Sequence, residues 1–126
     1  SVVDVYIQLP QTDAGTRCAA ISAASIALAD AGIPMKDMIS SVAVGQVDGT
    51  IVADLSYGEE SYPGIVSDIP IAMTHNTKQV TLLQMDGEIT KEDLSKALEV
   101  AKPAMDKVYE VQMKALKDKF SVENKK

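Results

Sequence analysis

The chain has 126 residues, a formal net charge of −6 at pH 7 and a hydrophobic fraction of 46%. This length can bury one hydrophobic core and leaves little room for a second domain. The negative charge argues against a free-standing nucleic-acid binder, because such proteins contact phosphates through a basic surface. No apolar run or signal-peptide pattern indicates a membrane, and the single cysteine, Cys18, cannot form an intrachain disulfide. We therefore expect a cytoplasmic protein.

The first third of the chain predicts a strand, a helix and a short helical turn. Residues 2–9 alternate apolar and polar side chains, which predicts a half-buried strand that Pro10 ends. Because the strand begins without a turn or cap, we expect the chain to be the downstream part of something longer. Alanines at helical spacing then predict a buried helix up to Gly32, and residues 35–39 predict one helical turn.

The middle of the chain predicts an antiparallel arrangement built from hairpins. Four apolar runs indicate strands, over residues 41–47, 50–55, 69–74 and 79–85. The first two are joined at Asp48-Gly49, a dipeptide that favours the tightest hairpin turns, and a second Asp-Gly pair at Asp86-Gly87 closes the last strand. Residues 56–67, between the second and third of these runs, contain Gly58, Pro63 and Gly64 and predict a loop of functional size.

The last third of the chain predicts a long amphipathic helix. Thr90 followed by Asp93 resembles a capping box, and an apolar stripe with helical spacing follows it. Pro103 interrupts this stripe and is expected to kink the helix or to begin a second one. The polar residues 121–126 predict a frayed end.

The junction before the first helix is a candidate anion site. A helix N-terminus offers unpaired N–H groups, Gly15 lets an anion approach the backbone, and Arg17 adds a guanidinium group beside Thr16. Phosphate is a suitable ligand for this arrangement. On these residues alone, an ordinary glycine turn with a surface arginine is the simpler interpretation.

A set of acidic residues in and after the long loop is the second candidate site. Its members are Asp54, Glu59, Glu60 and Asp68. Carboxylates assist phosphoryl transfer by holding Mg²⁺ or by transferring a proton. The alternative is a solvated acidic loop without chemistry. His75, Tyr57 and Tyr62 are interpreted as surface residues rather than as a general base or base-stacking groups.

Several blocks taken together resemble the RNase PH family, most closely the catalytic ring subunits of archaeal exosomes. They occur in order at residues 12–17, 23–37, 47–49, 53–55 and 82–87. The resemblance implies an α+β fold of the RNase PH type (like domain 2 of ribosomal protein S5), with a mixed sheet packed against long helices. Residues 1–34 would be the last strand and helix of a first subdomain, and residues 35–126 the C-terminal subdomain.

The resemblance also implies an activity and residues that carry it. In this family, phosphate bound at Gly15, Thr16 and Arg17 attacks the last phosphodiester of an RNA 3′ end and releases a nucleoside diphosphate. Gapless matching places the two assisting acids, catalytic or metal-binding through Mg²⁺ or Mn²⁺, at Glu60 and Asp68. The family has aspartate at the first position and a shorter loop. Misplacement by about an ångström can cost on the order of a hundredfold in rate.

The implied partners are RNA, the other RNase PH-like subunits of a hexameric ring, and an N-terminal half supplied by the same or another chain. A catalytically inactive, structural ring subunit is the main alternative, which Glu60 and the longer loop favour and Arg17 disfavours. A free-standing RNase PH that trims tRNA ends is a third possibility.

Overall fold

The computed structural model describes residues 1–123, which form three helices and one five-stranded sheet. The helices are α1 (Thr16–Asp30), α2 (Tyr57–Glu60) and α3 (Lys91–Glu123). The strands are β1 (Ile39–Val47), β2 (Thr50–Ala53), β3 (Val66–Thr74), β4 (Val80–Leu83) and β5 (Asp86–Gly87). Their order is β2-β1-β3-β4, with β5 also beside β3. The α+β class is confirmed, and every pairing among the described strands is antiparallel rather than mixed.

The predicted hairpin at Asp48-Gly49 joins β1 to β2. Both residues have positive φ angles, 45° and 82°, as a tight turn between right-twisted strands requires. The register that results pairs Val47 with Thr50. β1 begins two residues before the predicted start, and β2 ends at Ala53, two residues before the predicted end.

The core lies between α3 and one face of the central strands. The sheet contributes Val42, Val44, Ile69 and Ile71, and α3 contributes Ala97, Ala101 and Met105. Small alanines on α3 let the helix approach the branched side chains of the strands closely. A smaller cluster on the opposite face joins Cys18 of α1 to Ala43 and Leu55. The two clusters place α1 on the face of the sheet that α3 does not cover.

Helix α1 lies along β1 where β2 no longer pairs with it. The Ile39 N–H donates to Ser25 Oγ at 2.9 Å, and the Ser41 N–H donates to Ser22 Oγ at 3.1 Å. The two serines thus accept N–H groups that would otherwise lack a partner at a strand edge. The predicted helix is confirmed, but the prediction that it is buried was wrong, since only Cys18 and Ser25 are buried positions of α1.

Residues 2–9 do not form the predicted strand. No ladder includes them, and their apolar side chains are largely exposed, 86% for Val2. Part of the segment borders a groove lined by the alanines of α1, among them Ala19 and Ala23. An alternating sequence gains backbone hydrogen bonds only beside another strand, and no described strand lies next to this one.

The structure also differs from the predictions at two helical segments. Residues 35–39 form no helical turn, because the Asp37 carboxylate accepts N–H bonds from Met38, Asn76 and Thr77 and ties this segment to the β3–β4 turn. Helix α3 continues through Pro103 without a second helix beginning there. The predicted frayed end lies partly outside the described residues. No helix in residues 1–123 has both the length and the apolar composition to span a membrane.

Candidate functional site

Helix α1 begins with an uncapped first turn. Gly15 is the N-cap residue and has a φ of 59°, and Ala14 before it has a φ of 60°. Within residues 1–123, no side-chain cap hydrogen bond is made to this helix end, and the first turn contains no acidic residue. Its N–H groups and the positive end of the helix dipole are thus open to an anion. This is the geometry expected for Gly15, Thr16 and Arg17.

The loop before α1 is fixed to the segment that follows β2. Asp54, with a φ of 62°, lies beside Gly15: a Cβ atom built on Gly15 would be 3.8 Å from Asp54 Oδ1. Asp13 Oδ1 accepts a 3.1 Å hydrogen bond from the Tyr57 N–H at the start of α2. Of the four predicted acids, Asp54 therefore lies beside the loop that precedes α1.

The one-turn helix α2, which was predicted to be loop, separates the roles of two adjacent glutamates. Ser56 and Glu59 form a reciprocal capping box, in which Glu59 Oε2 accepts the Ser56 N–H at 2.7 Å. The hydrogen bonds from the Ser56 backbone and hydroxyl lower the pKa of Glu59. Glu59 is thereby committed to the fold, while Glu60 lines the cleft described next.

Asp68 lies in an acidic cleft at the side of β3. It is the third residue of β3 rather than the first residue of a strand, because β3 begins at Val66. The cleft has a volume of about 250 Å³, and Glu60, Asp68 and Asp86 contribute its carboxylates. Asp68 Oδ1 is buried and has no hydrogen-bond partner among the described residues. Such an atom favours a proton or a bound cation.

The surroundings of Asp68 favour its protonated form. Burial raises the pKa of the Asp68 carboxyl, and the negative charges of Glu60 and Asp86 raise it further. The guanidinium of Arg17 and a hydrogen bond from the Ile69 backbone act in the opposite direction without cancelling the rise. The structure thus brings together Arg17, Glu60 and Asp68 from three separate elements.

Asp86 lines the acidic cleft, although the sequence patterns did not identify it as a candidate. It was interpreted only as the first half of a turn, whereas Asp86-Gly87 forms the short strand β5. Asp86 is the direct cross-strand partner of Asp68, so their side chains lie on the same face of the sheet. The antiparallel register could have revealed Asp86, because it fixes which residues of two strands lie opposite each other. Counting residues outward from the β3–β4 turn fails, however, because the pairing shifts between Ala72 and Met73.

Arg17 crosses from α1 to the strand side of the site. Its Nη1 donates a hydrogen bond to Gln84 Oε1, the residue that follows β4. The Gln84 backbone N–H donates to the Pro70 carbonyl at 3.1 Å, which attaches this residue to β3. Gln84 was not among the predicted site residues.

The carboxylates are compatible with a divalent cation that substrate oxygens help to hold. Within residues 1–123, no group of three or more His, Cys, Asp or Glu side chains is arranged to hold a metal ion by itself. Mg²⁺ generally uses one or two carboxylates, waters and substrate phosphates instead of a full set of protein ligands. The buried, unpartnered Asp68 Oδ1 suits this chemistry, with Glu60 in the same cleft.

His75, Tyr57 and Tyr62 do not line this cleft. The His75 ring stacks on Tyr109 of α3 with centroids 3.4 Å apart, and its Nδ1 is 3.7 Å from Asp106 Oδ1. His75 is therefore half-buried and packed, rather than a surface residue. Tyr57 and Tyr62 are exposed, as predicted.

Comparison with known proteins identifies relatives across nearly the whole chain. Residues 37–104 match the family described as "3' exoribonuclease family, domain 2". The chain is 48% identical to "Exosome complex component Rrp41" of Thermococcus gammatolerans over 95% of this chain and 47% of that protein. The Nitrosopumilus maritimus protein of the same name is also 48% identical, over 95% of this chain and 48% of the relative. The chain thus spans about half the length of these relatives.

Solved structures agree on the fold. Rice (Oryza sativa) Rrp46 matches with a TM-score of 0.75 at 22% identity, covering 83% of this chain and 49% of that one. The cell-death-related nuclease CRN-5 of C. elegans matches with a TM-score of 0.72 at 21% identity, over 87% of this chain and 60% of that one. The RNase PH-like fold is therefore confirmed. Together with the match over residues 37–104, this shows that the chain belongs to the 3′ exoribonuclease family, of which it carries the second domain.

Proposed function

We propose that the chain forms the phosphate-binding and acid-bearing part of a phosphate-dependent 3′-to-5′ exoribonuclease. The observation that carries the proposal is the convergence of the α1 N-terminus with its Arg17 and a cleft holding Asp68, Glu60 and Asp86. One side of this site suits an anion, and the other suits a proton or a cation. Both are requirements of phosphoryl transfer to phosphate.

The anion side would hold inorganic phosphate as the co-substrate. The free N–H groups at Gly15, Thr16 and Arg17 donate to phosphate oxygens, and the Arg17 guanidinium supplies the positive charge. This arrangement orients one phosphate oxygen toward the phosphorus of the last RNA phosphodiester. Fixing two reacting groups in this way removes much of the entropic part of the barrier.

The acid side would serve the leaving group. As the phosphate oxygen bonds to phosphorus, the bond from phosphorus to the 3′ oxygen breaks, and that oxygen needs a proton. Asp68 donates this proton, because its raised pKa favours the protonated carboxyl. The attacking hydrogen phosphate loses one proton, and Asp68 later regains an equivalent proton. The products are a nucleoside diphosphate and an RNA shortened by one nucleotide.

In the alternative role, with Asp68 ionised, Glu60 and Asp68 would hold Mg²⁺ or Mn²⁺ together with oxygens of the substrate. Such a cation, when bound, neutralises negative charge that accumulates on the transferred phosphoryl group. Glu60 extends from α2, whose position is fixed by the Ser56–Glu59 capping box and by the Asp13 carboxylate. This support favours a functional position for Glu60 despite its longer side chain.

The assembly proposal follows from the named relatives. Relatives that match 95% of the chain are called exosome complex components, and we infer a ring made with other RNase PH-like subunits. With a net charge of −6, most of the basic surface for RNA would lie on partner subunits or on an N-terminal half. We assign residues 1–34 to the first subdomain and residues 35–126 to the second, in agreement with a family match that begins at residue 37.

The test uses the complete protein in its native assembly. A 3′-labelled RNA is incubated with Mg²⁺ or Mn²⁺, with and without inorganic phosphate, and the released nucleotides are separated. We expect nucleoside diphosphates to be released only in the reactions that contain inorganic phosphate. Arg17→Ala should raise the phosphate KM at least about tenfold, whereas RNA affinity changes little. Lys36→Ala removes an exposed cation near the opposite end of β1 and is the charge-matched control.

The structural-subunit alternative has a distinct outcome in the same assay. It predicts no nucleoside diphosphate from the intact wild-type assembly under any of these conditions. Glu60→Asp then separates a defect of length from a role of the carboxylate. A faster aspartate variant would show that the longer side chain is a partial defect, and a rate unchanged by Glu60→Asp and by Glu60→Gln would remove Glu60 from the site.

A further inference from the structure

We propose that Gln84 is a positioning residue that holds the Arg17 guanidinium in the direction of the acidic cleft. This inference rests on the proposed function and adds a residue to its phosphate site. The Gln84 amide oxygen accepts a hydrogen bond from Arg17 Nη1 across 67 positions of sequence. Arg17 in turn acts electrostatically on Asp68, which places its charge beside the cleft.

The backbone places Gln84 on the correct face of the sheet. Leu83 pairs with Ile71 and Asp86 pairs with Asp68, so Gln84 lies beside Pro70. Side chains alternate between faces along a strand, and Gln84 therefore shares a face with Asp68 and Asp86. This is also the face that α1 contacts through Cys18 and Ala43.

Pro70 explains why the strand pairing with β3 is interrupted at Gln84, between β4 and β5. The Pro70 carbonyl accepts the Gln84 N–H, so the backbone of Pro70 is directed toward this part of the chain. Proline has no N–H and cannot return the second bond of the pair. The ladder breaks between β4 and β5 at Gln84-Met85, and one hydrogen bond still fixes Gln84. The result is a side chain that leaves a rigid strand at a defined point.

The chemistry of an amide suits this task better than that of a carboxylate. An amide oxygen accepts a guanidinium N–H and leaves the full positive charge of Arg17 available to an anion. A carboxylate at the same position would form an ion pair with Arg17 and compete with phosphate for it. The contact with Gln84 uses one N–H group of Arg17 Nη1. The other N–H groups of the guanidinium remain available to an anion, and the same contact fixes their direction.

The test compares Gln84→Ala and Gln84→Glu with wild type in the native assembly. Inorganic phosphate binding is measured by calorimetry, and phosphate KM and kcat are measured in the RNA assay. Gln79→Glu is the matched control, because it adds the same charge near the other end of β4. We expect Gln84→Ala to weaken phosphate binding and raise the phosphate KM by about three- to tenfold, with kcat at saturating phosphate within about twofold.

Gln84→Glu should weaken phosphate binding more than Gln84→Ala does, and the control should leave it unchanged. The inference is overturned if both Gln84 variants bind phosphate within about twofold of wild type, or if their effect falls on kcat alone. Phosphate binding that depends on Gln84 in an assembly that releases no nucleoside diphosphate would support the inference and refute the proposed activity. Normal phosphorolysis by both variants would refute the inference and leave the activity intact.

Discussion

Replacing Asp68 by asparagine should stabilise the protein while it removes activity. The change keeps the size of the side chain and removes a charge whose Oδ1 atom is buried without a partner. A buried polar atom without a partner costs about 1–3 kcal/mol and more when it is charged, and asparagine removes only this additional cost of the charge. Asp68 is only partly buried, and Arg17 offsets some of the cost, so we expect a gain of about 1 kcal/mol at pH 7. This corresponds to a rise in Tm of about 2–5 °C.

The gain should depend on pH in a defined direction. The folded-state pKa of Asp68 is raised above its unfolded value, so the protonated carboxyl is the form that the fold favours. Its stabilising contribution is complete below the unfolded pKa and is lost as the pH rises through the folded pKa. Asp68→Asn should therefore match wild type in acid and exceed it progressively as the pH approaches neutrality.

Thermal scans at equal protein concentration, between pH 4 and pH 8, measure this difference. Glu110→Gln, at an exposed position of α3, serves as the control for neutralising a carboxylate. Release of nucleoside diphosphate from RNA is followed in parallel and should be abolished. A variant that is less stable than wild type at pH 7, or equally displaced at every pH, would refute the reasoning.

Three further substitutions test the fold that supports the site. Gln112→Leu removes three hydrogen bonds that join α3 to α1 and β1, and should cost about 2–4 kcal/mol in urea denaturation; a loss below about 1 kcal/mol would contradict this. Gly45→Ala places a Cβ 1.9 Å from the Ser67 carbonyl oxygen, and should cost about 3 kcal/mol and reduce activity; an unchanged urea midpoint would exclude such a clash. Asp37→Ala removes a carboxylate whose pKa lies below its usual value. Burial raises this pKa, but hydrogen bonds, first the one from the Asn76 backbone, lower it more. Its stabilisation is present above the unfolded pKa and lost as the pH falls through the folded pKa, so the Tm difference from wild type should shrink toward acid, and a constant difference would contradict this.

Local patterns predicted the elements that local chemistry determines. The turn at Asp48-Gly49 needs positive φ angles that this dipeptide tolerates, and it was placed correctly. The start of α3 was also predicted, because the Thr90 hydroxyl accepts the Asp93 N–H at 3.1 Å, as a capping residue does. The same holds for the open N-terminus of α1 at Gly15. These features depend on residues within three or four positions of one another.

Features that depend on distant partners were missed or misplaced. Residues 2–9 have the alternation of a strand, but alternation does not supply a neighbouring strand. Asp86 and Gln84 enter the site through the pairing of β5 with β3 and through a contact with Arg17, neither of which has a local pattern. His75 looked like a turn residue because its ring partner, Tyr109, is more than thirty positions away along the chain.

The two serines of α1 have a consequence for the position of the helix along its own axis. Ser22 and Ser25 accept N–H groups from alternate residues of β1, so sliding α1 by one residue would break both bonds together. Leaving two backbone donors unpaired would cost several kcal/mol, roughly twice the penalty of about 1–3 kcal/mol for one. The contacts of Ser22 and Ser25 with β1, about two turns or more from the N-terminus of α1, therefore fix the position of that N-terminus relative to the sheet. The distance between Asp68 and an anion bound at Gly15 would thus be set by two serine side chains that do not contact the anion.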